Sequence, residues 1–417
     1  MRQGPRPAAR NRASGLRAGR KGMVFALSIC LGLASISYAC AANPPPTERP
    51  VAASPTASSS PVNAEPTETV GPTFPYPAAI LFFNTSTGDL DLVSQDGISL
   101  AHLGSITWTE PDRLKGTTLG DIGAEYGRVR FAYLTTDDDG LELDVRSTIG
   151  TISLGEFPMG TLLAGSVPAG MLAVSVPDVV GAGDKEESEI YVVDPVRRTG
   201  LEKPVVRGIV PGAVPLMLQV ENGQPSAVLY CLSLSDDLIT EDDPCHGLYR
   251  VELDSGQTDQ MAADSLAILA LSADARIAAF ASDDRIPPDV RVRNLDSAVE
   301  VVFRSEPGVR EVHEGALSPA GTRLAWVSLS REDGGKDVLA VNLASTSGGP
   351  VTLLANTTLS EAVGDEVTDV DPVGWLDEGR LLLEISTIRG PALYVLLLAE
   401  GRIDHITPGR MAGFVYR

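Results

Sequence analysis

The residues best placed to do chemistry in this chain are carboxylates, because they come in runs. Asp137-Asp138-Asp139 is one such run; Asp236-Asp237 and Glu241-Asp242-Asp243 lie within a few residues of each other. Grouped carboxylates attract basic peptide or protein segments, and can collect Ca²⁺. The calcium reading has little chemistry behind it. Asp137-Asp138-Asp139-Gly140 lacks both the alternating Asp-x-Asp spacing and the closing Glu of an EF-hand loop, so no cofactor is expected. Asp also favours solvated turns, which leaves a binding patch and a solvated rim open as readings of these runs.

Other chemistry finds less support. The four histidines, His102, His246, His313 and His405, are far apart and form no His-x-x-x-His or Glu-x-x-His pattern, which speaks against a zinc or serine-type site. A Gly-x-Ser-x-Gly elbow is missing, and Ser94-Gln95-Asp96-Gly97 has the wrong spacing for a sialidase-type box. An enzyme is therefore not expected. Cys231 and Cys245 are the cysteines outside the N-terminal region. In an oxidising compartment they are expected to pair, the alternative being two free thiols.

The N-terminus says which compartment that is. Arg2, Arg6, Arg10, Arg12, Arg17, Arg20 and Lys21 precede the apolar run Met23 to Ile36, and small residues follow; this is the order of a secretory signal. Fourteen helical residues span about 21 Å, short of a hydrocarbon core of about 30 Å. Residues 1–40 therefore read as a signal peptide or a lipoprotein signal. Ile36-Ser37-Tyr38-Ala39-Cys40 resembles a bacterial lipobox with Cys40 as the lipidation candidate, although Ser37 and Tyr38 depart from its preferred residues. Simple cleavage and an uncleaved anchor stay open. Residues 41–77, rich in Pro, Ser, Thr and Ala, cannot offset the cost of ordering and read as a disordered tether. The expected location is extracytoplasmic, on the membrane or envelope, with secretion as the alternative.

Charge limits the partner. The seven basic residues before Cys40 leave 26 of the chain's 33 against 55 acidic ones. That balance excludes a phosphate-backbone ligand such as nucleic acid.

What must position the acidic runs begins at Ala78. There the chain becomes short apolar or β-branched runs separated by Gly, Pro, Asp and Asn, the pattern of an all-β domain over residues 78–417. Ser272-Ala273-Asp274-Ala275-Arg276-Ile277 aligns with Ser318-Pro319-Ala320-Gly321-Thr322-Arg323 as a turn leading into a strand. An apolar residue paired with a second one just beyond recurs at Ile80/Phe82, Val129/Phe131, Leu172/Val174, Val228/Tyr230, Ile277/Phe280, Leu324/Trp326 and Leu381/Leu383. The second members lie 49, 43, 56, 50, 46 and 57 residues apart. Seven units of this size predict a seven-bladed β-propeller, with six or eight blades or stacked sandwiches as alternatives. The first unit lacks an inner strand, and Met411 to Tyr416 form an orphan strand able to supply it. In this arrangement the loops between the second and third strands of six units hold 19 acidic side chains against five basic ones on one face.

The run Ala316-Leu317-Ser318-Pro319-Ala320-Gly321-Thr322-Arg323-Leu324-Ala325-Trp326, together with Ile190-Tyr191-Val192-Val193-Asp194, resembles the repeat of TolB-like propellers and of the propeller in dipeptidyl peptidase IV-type proteins. The resemblance implies a fold and not an activity. Three functional readings follow. The first is a tethered, monomeric propeller that binds a protein or peptide, a basic one among the candidates, through the acidic face. The second is a sensor or carbohydrate-binding component, for which Trp108 and Trp375 are the aromatic candidates. The third is a hydrolase of unrecognised type, which requires carboxylates converging in the central funnel.

Overall fold

The apolar runs become strands, and those second from the inner edge, such as Pro77–Asn84, Ile277–Ser282 and Arg380–Thr387, are buried on both faces. The computed structural model describes residues 76–106, 116–119, 129–137, 140–159, 161–166, 170–178, 187–209, 212–221, 224–233, 245–282, 286–331 and 337–416. They form antiparallel sheets, five of four strands and one of seven. The seven-stranded sheet contains two units because its middle strand, Thr258–Leu271, serves both. Thr258 to Ala262 pair with the strand Cys245–Glu252, and Leu266 to Leu271 pair with Ile277–Ser282. The sequence suggests two strands here, but no Gly, Pro or Asn between Met261 and Leu266 breaks the chain.

Counted this way, the described strands fall into seven four-stranded antiparallel units. The inner strands are Arg410–Tyr416, Gly116–Leu119, Leu162–Ser166, Ala213–Glu221, the second half of Thr258–Leu271, Val309–Leu317 and Val367–Asp377. Next to them lie Pro77–Asn84, Arg130–Asp137, Met171–Asp178, Gln224–Ser233, Ile277–Ser282, Arg323–Arg331 and Arg380–Thr387. The orphan C-terminal strand does complete the first unit. It pairs with Pro77–Asn84 in the register Ala79 to Val415 and Phe82 to Met411, which covers an edge that would otherwise be open to another chain.

Side-chain alternation explains the recurring apolar pairs. Ala79, Leu81 and Phe83 pack with Phe131 and Tyr133 of the second unit, whereas Ile80 and Phe82 point the other way, onto Leu376 and Leu382 of the last. Leu324 and Trp326 meet Phe303 of the fifth unit, while Ala325 and Val327 meet Trp375 and Leu381 of the seventh. A strand buried on both faces needs apolar residues at every position, hence the continuous runs. Seven apolar clusters result, each shared by neighbouring units and one joining the last to the first. Phe82, Phe131, Val174, Tyr230, Phe280, Trp326 and Leu383 are all buried.

The turn before the second strand is built by its serine. Ser318 Oγ accepts the Thr322 and Arg323 N–H groups at 3.1 and 3.0 Å, and Gly321 takes a positive φ of 67°. Ser272 repeats the arrangement, accepting the Ile277 N–H at 2.9 Å, with Ala275 at φ 56° in the glycine's place. One helix, Asn356–Val363, is not suggested by the sequence pattern; it follows the outer strand of the sixth unit, buries Leu359 and stops at Gly364 in the left-handed region.

Candidate functional site

Three consecutive inner strands bring charged groups together at the join between the last units and the first. Asp369 and Asp371 alternate along Val367–Asp377, so both face one side of that strand. Asp371 lies directly opposite Glu384 in the antiparallel register, which puts these two side chains on the same face. Glu314, on the sixth unit's inner strand, sits at a bulge with φ 48°. Arg410 opens the closing strand, and its Nη1 lies 3.2 Å from Glu384 Oε1. The other Glu384 oxygen accepts the Met411 N–H at 3.1 Å.

Burial and crowding set the protonation of this group. Burial pushes the Asp371 carboxyl up to about 8, the charges of Glu314, Asp369 and Glu384 add to the rise, and Arg410 opposes it. Glu384 is 7% exposed and is also pushed up by burial, against the pull of Arg410 and of the Met411 N–H. Glu314 and Asp369 are exposed. Near neutral pH Asp371 is therefore mainly protonated.

The cluster lies towards one end of the units. Arg410 pairs with Phe83, next to the loop from Asn84 to Asp89, and Val367 pairs with Thr387, next to the loop that ends at Gly390. These loops join second to third strands, the same position that holds the acidic runs in the other units.

The sequence-predicted residues fare unequally. Cys231 and Cys245 form a disulfide with Cα atoms 5.6 Å apart, tying the second and third strands of the fourth unit. Asp138, Asp139, Asp236, Asp237, Glu241, Asp242 and Asp243 lie outside the described residues, as do Cys40 and Trp108; Asp137 is placed only as the end of its strand. Trp375 is corrected as a sugar-binding candidate: it is 2% exposed, and its indole N–H donates to the Ala316 carbonyl at 3.0 Å across the unit interface. Of the described loop acids, Glu189 pairs with Arg207 at 3.4 Å, Asp337 lies 3.9 Å from both Arg310 and Arg331, and Asp289 is buried. The four histidines sit in four different units. Among the described residues no group of three or more His, Cys, Asp or Glu side chains is arranged to hold a metal ion.

The carboxylate cluster is not among the sequence-predicted residues. Two signals were available: Glu384 interrupts the apolar run Leu381-Leu382-Leu383, and Asp369 and Asp371 share one face of an inner strand. A charge inside a buried strand is the informative exception.

Residues 222–411 match the family described as the Lipoprotein LpqB beta-propeller domain. The stretch runs from the second strand of the fourth unit into the closing strand. The chain carries a β-propeller. Among solved structures the propeller is similar to TolB from Acinetobacter baumannii, with 16% identity and a TM-score of 0.40, over 66% of this chain and 63% of that one. It thus spans less than two thirds of that protein's length. TolB from Agrobacterium tumefaciens gives 16% identity and 0.38 over 67% and 88%. An oligogalacturonate lyase from Vibrio parahaemolyticus gives 11% and 0.49 over 79% and 90%. No curated protein matches the propeller in sequence. Among the described residues no helix is long and apolar enough to cross a membrane.

Proposed function

We propose that this protein is an extracytoplasmic binding module: a monomeric, seven-bladed propeller over residues 78–417, attached to the envelope through residues 1–40 and the tether 41–77, that captures a basic peptide or protein segment at its acidic end. Lipidation of Cys40 is the proposed attachment. The observation that carries the reading is the grouping of Glu314, Asp369 and Glu384 within electrostatic reach of Asp371, with Arg410 paired to Glu384, near the end where Asp236, Asp237, Glu241, Asp242, Asp243 and Asp137 to Asp139 are expected. Carboxylates in excess of cations, between low-dielectric walls, concentrate and orient positive side chains.

The test uses the full chain and a fluorescent Lys/Arg-rich peptide beside its Gln-substituted control. Binding is expected to require the basic peptide, to weaken several-fold between low and high salt, and to drop both in D236N/D237N/D242N/D243N and in E314Q/D369N. Equal binding of the control peptide, or no change in either variant, sinks the proposal.

The converging carboxylates also bear on a hydrolytic reading, since a protonated Asp371 has the state of a general acid. Glu384 is less suited to be its partner base, because both its oxygens are engaged by Arg410 and Met411. Oligosaccharide turnover lost in D371N would favour that reading over binding alone.

A further inference from the structure

The carboxylate cluster stands at the join where the ring closes, and its contacts cross from the last unit to the C-terminal strand of the first. We propose that this join is a proton-gated seam: a neutral Asp371 lets Glu384 clasp the closing strand, and loss of that proton sets Asp371 against Glu384 and loosens Arg410–Tyr416 from the last unit. The inference is independent of the ligand.

The geometry places every part. Glu384 holds the first two residues of the closing strand, Arg410 by its guanidinium and Met411 by its N–H. Asp371 is the cross-strand partner of Glu384, and like charges in that position repel. An ionised Asp371 also competes for Arg410. Among the described residues, the charged groups acting on this pair are Glu314 on Val309–Leu317, Asp369 on the same strand as Asp371, and Arg410 on the closing strand. The neighbouring strands Pro77–Asn84 and Gly390–Leu397 contribute no titratable group opposite them; Phe83 faces Arg410 and Leu393 faces Glu384 in the registers.

The sign follows from linkage. A carboxyl whose pKa rises on folding, here from 3.8 to about 8 for Asp371, favours the closed state fully below its ordinary value. That advantage is lost progressively as pH rises, until it levels off above about 8. One proton released on opening makes opening up to about tenfold easier per pH unit across that range.

The experiment is hydrogen exchange on the full chain from pH 5 to 9, expressed as protection factors for 410–416 and, as a reference, for the core strand Arg323–Arg331. In the native protein, protection of 410–416 is expected to fall with pH by up to about tenfold per unit and to level off above about 8, with a much smaller change in the reference strand. Asp371→Asn should abolish the slope. Glu314→Gln, at an exposed position, should make protection level off at a lower pH, because one of the charges raising Asp371 is gone; this variant keeps the test open if D371N folds poorly. The proposal is overturned if the slope persists in D371N, if Glu314→Gln leaves the levelling point unchanged, or if all strands lose protection together.

Discussion

Arg410 and Glu384 form an ion pair of 3.2 Å between the strand that completes the first unit and the second strand of the last, with the carboxylate almost fully buried. Such a pair adds little over an apolar contact of the same shape, but breaking it strands a buried charge. Arg410→Met is therefore expected to destabilise the protein by about 2–3 kcal/mol, at the lower end for a buried pair because the guanidinium is partly exposed. Glu384→Gln, which leaves a neutral group able to accept the Met411 N–H, should cost less than half as much. Urea unfolding of both variants at pH 7 checks the order; a larger loss in the glutamine variant would contradict it.

A few residues further along the same seam, the Phe414 ring lies where a side chain at position 374 would begin. A Cβ added to Gly374 would run into Phe414 Cε2 and Cζ. Gly374→Ala must displace the ring from the cluster it shares with Leu376 and Leu382, and overpacking of this kind costs about 1–3 kcal/mol. Gly390→Ala, with open space around the new methyl but a positive φ of 107°, separates backbone strain from ring displacement. Adding Phe414→Leu to Gly374→Ala should recover part of the loss relative to Phe414→Leu alone. Additive losses in that double-mutant cycle would refute the contact.

The disulfide between Cys231 and Cys245 closes a loop with a sequence separation of 14. Chain-entropy arguments assign a loop of about 15 residues roughly 3 kcal/mol. Replacing both cysteines with serine, or reducing the native protein, should lower stability by up to that amount. A denaturant titration with and without reductant measures it, and reductant should have no effect on the serine variant. An unchanged midpoint would mean that the strands on either side already fix the loop ends.

The order of strands, the recurrence of the units and the closing role of the C-terminal strand were legible in the sequence because they depend on local pattern. A strand buried on both sides writes itself as an apolar run, a Ser-x-x-Gly turn writes itself before it, and the missing first strand had its match at Met411 to Tyr416. The disulfide was legible too, from two cysteines flanking one loop. Trp375 shows the limit of such reading. An indole beside a turn looks available in sequence, and only the packing of the sixth unit against the seventh, with Ala316 receiving its N–H, places it inside.

The carboxylate cluster belongs wholly to the tertiary structure. Glu314, Asp371, Glu384 and Arg410 span almost a hundred residues of sequence, and no spacing rule joins them. They meet because a ring of repeats turns sequence separation into angular position, so that the sixth, seventh and first inner strands become neighbours. Composition had already determined that the protein would be strongly acidic. Ring closure decided where some of those charges are buried, that Asp371 carries a proton near neutral pH, and that an arginine from the closing strand would pair with Glu384.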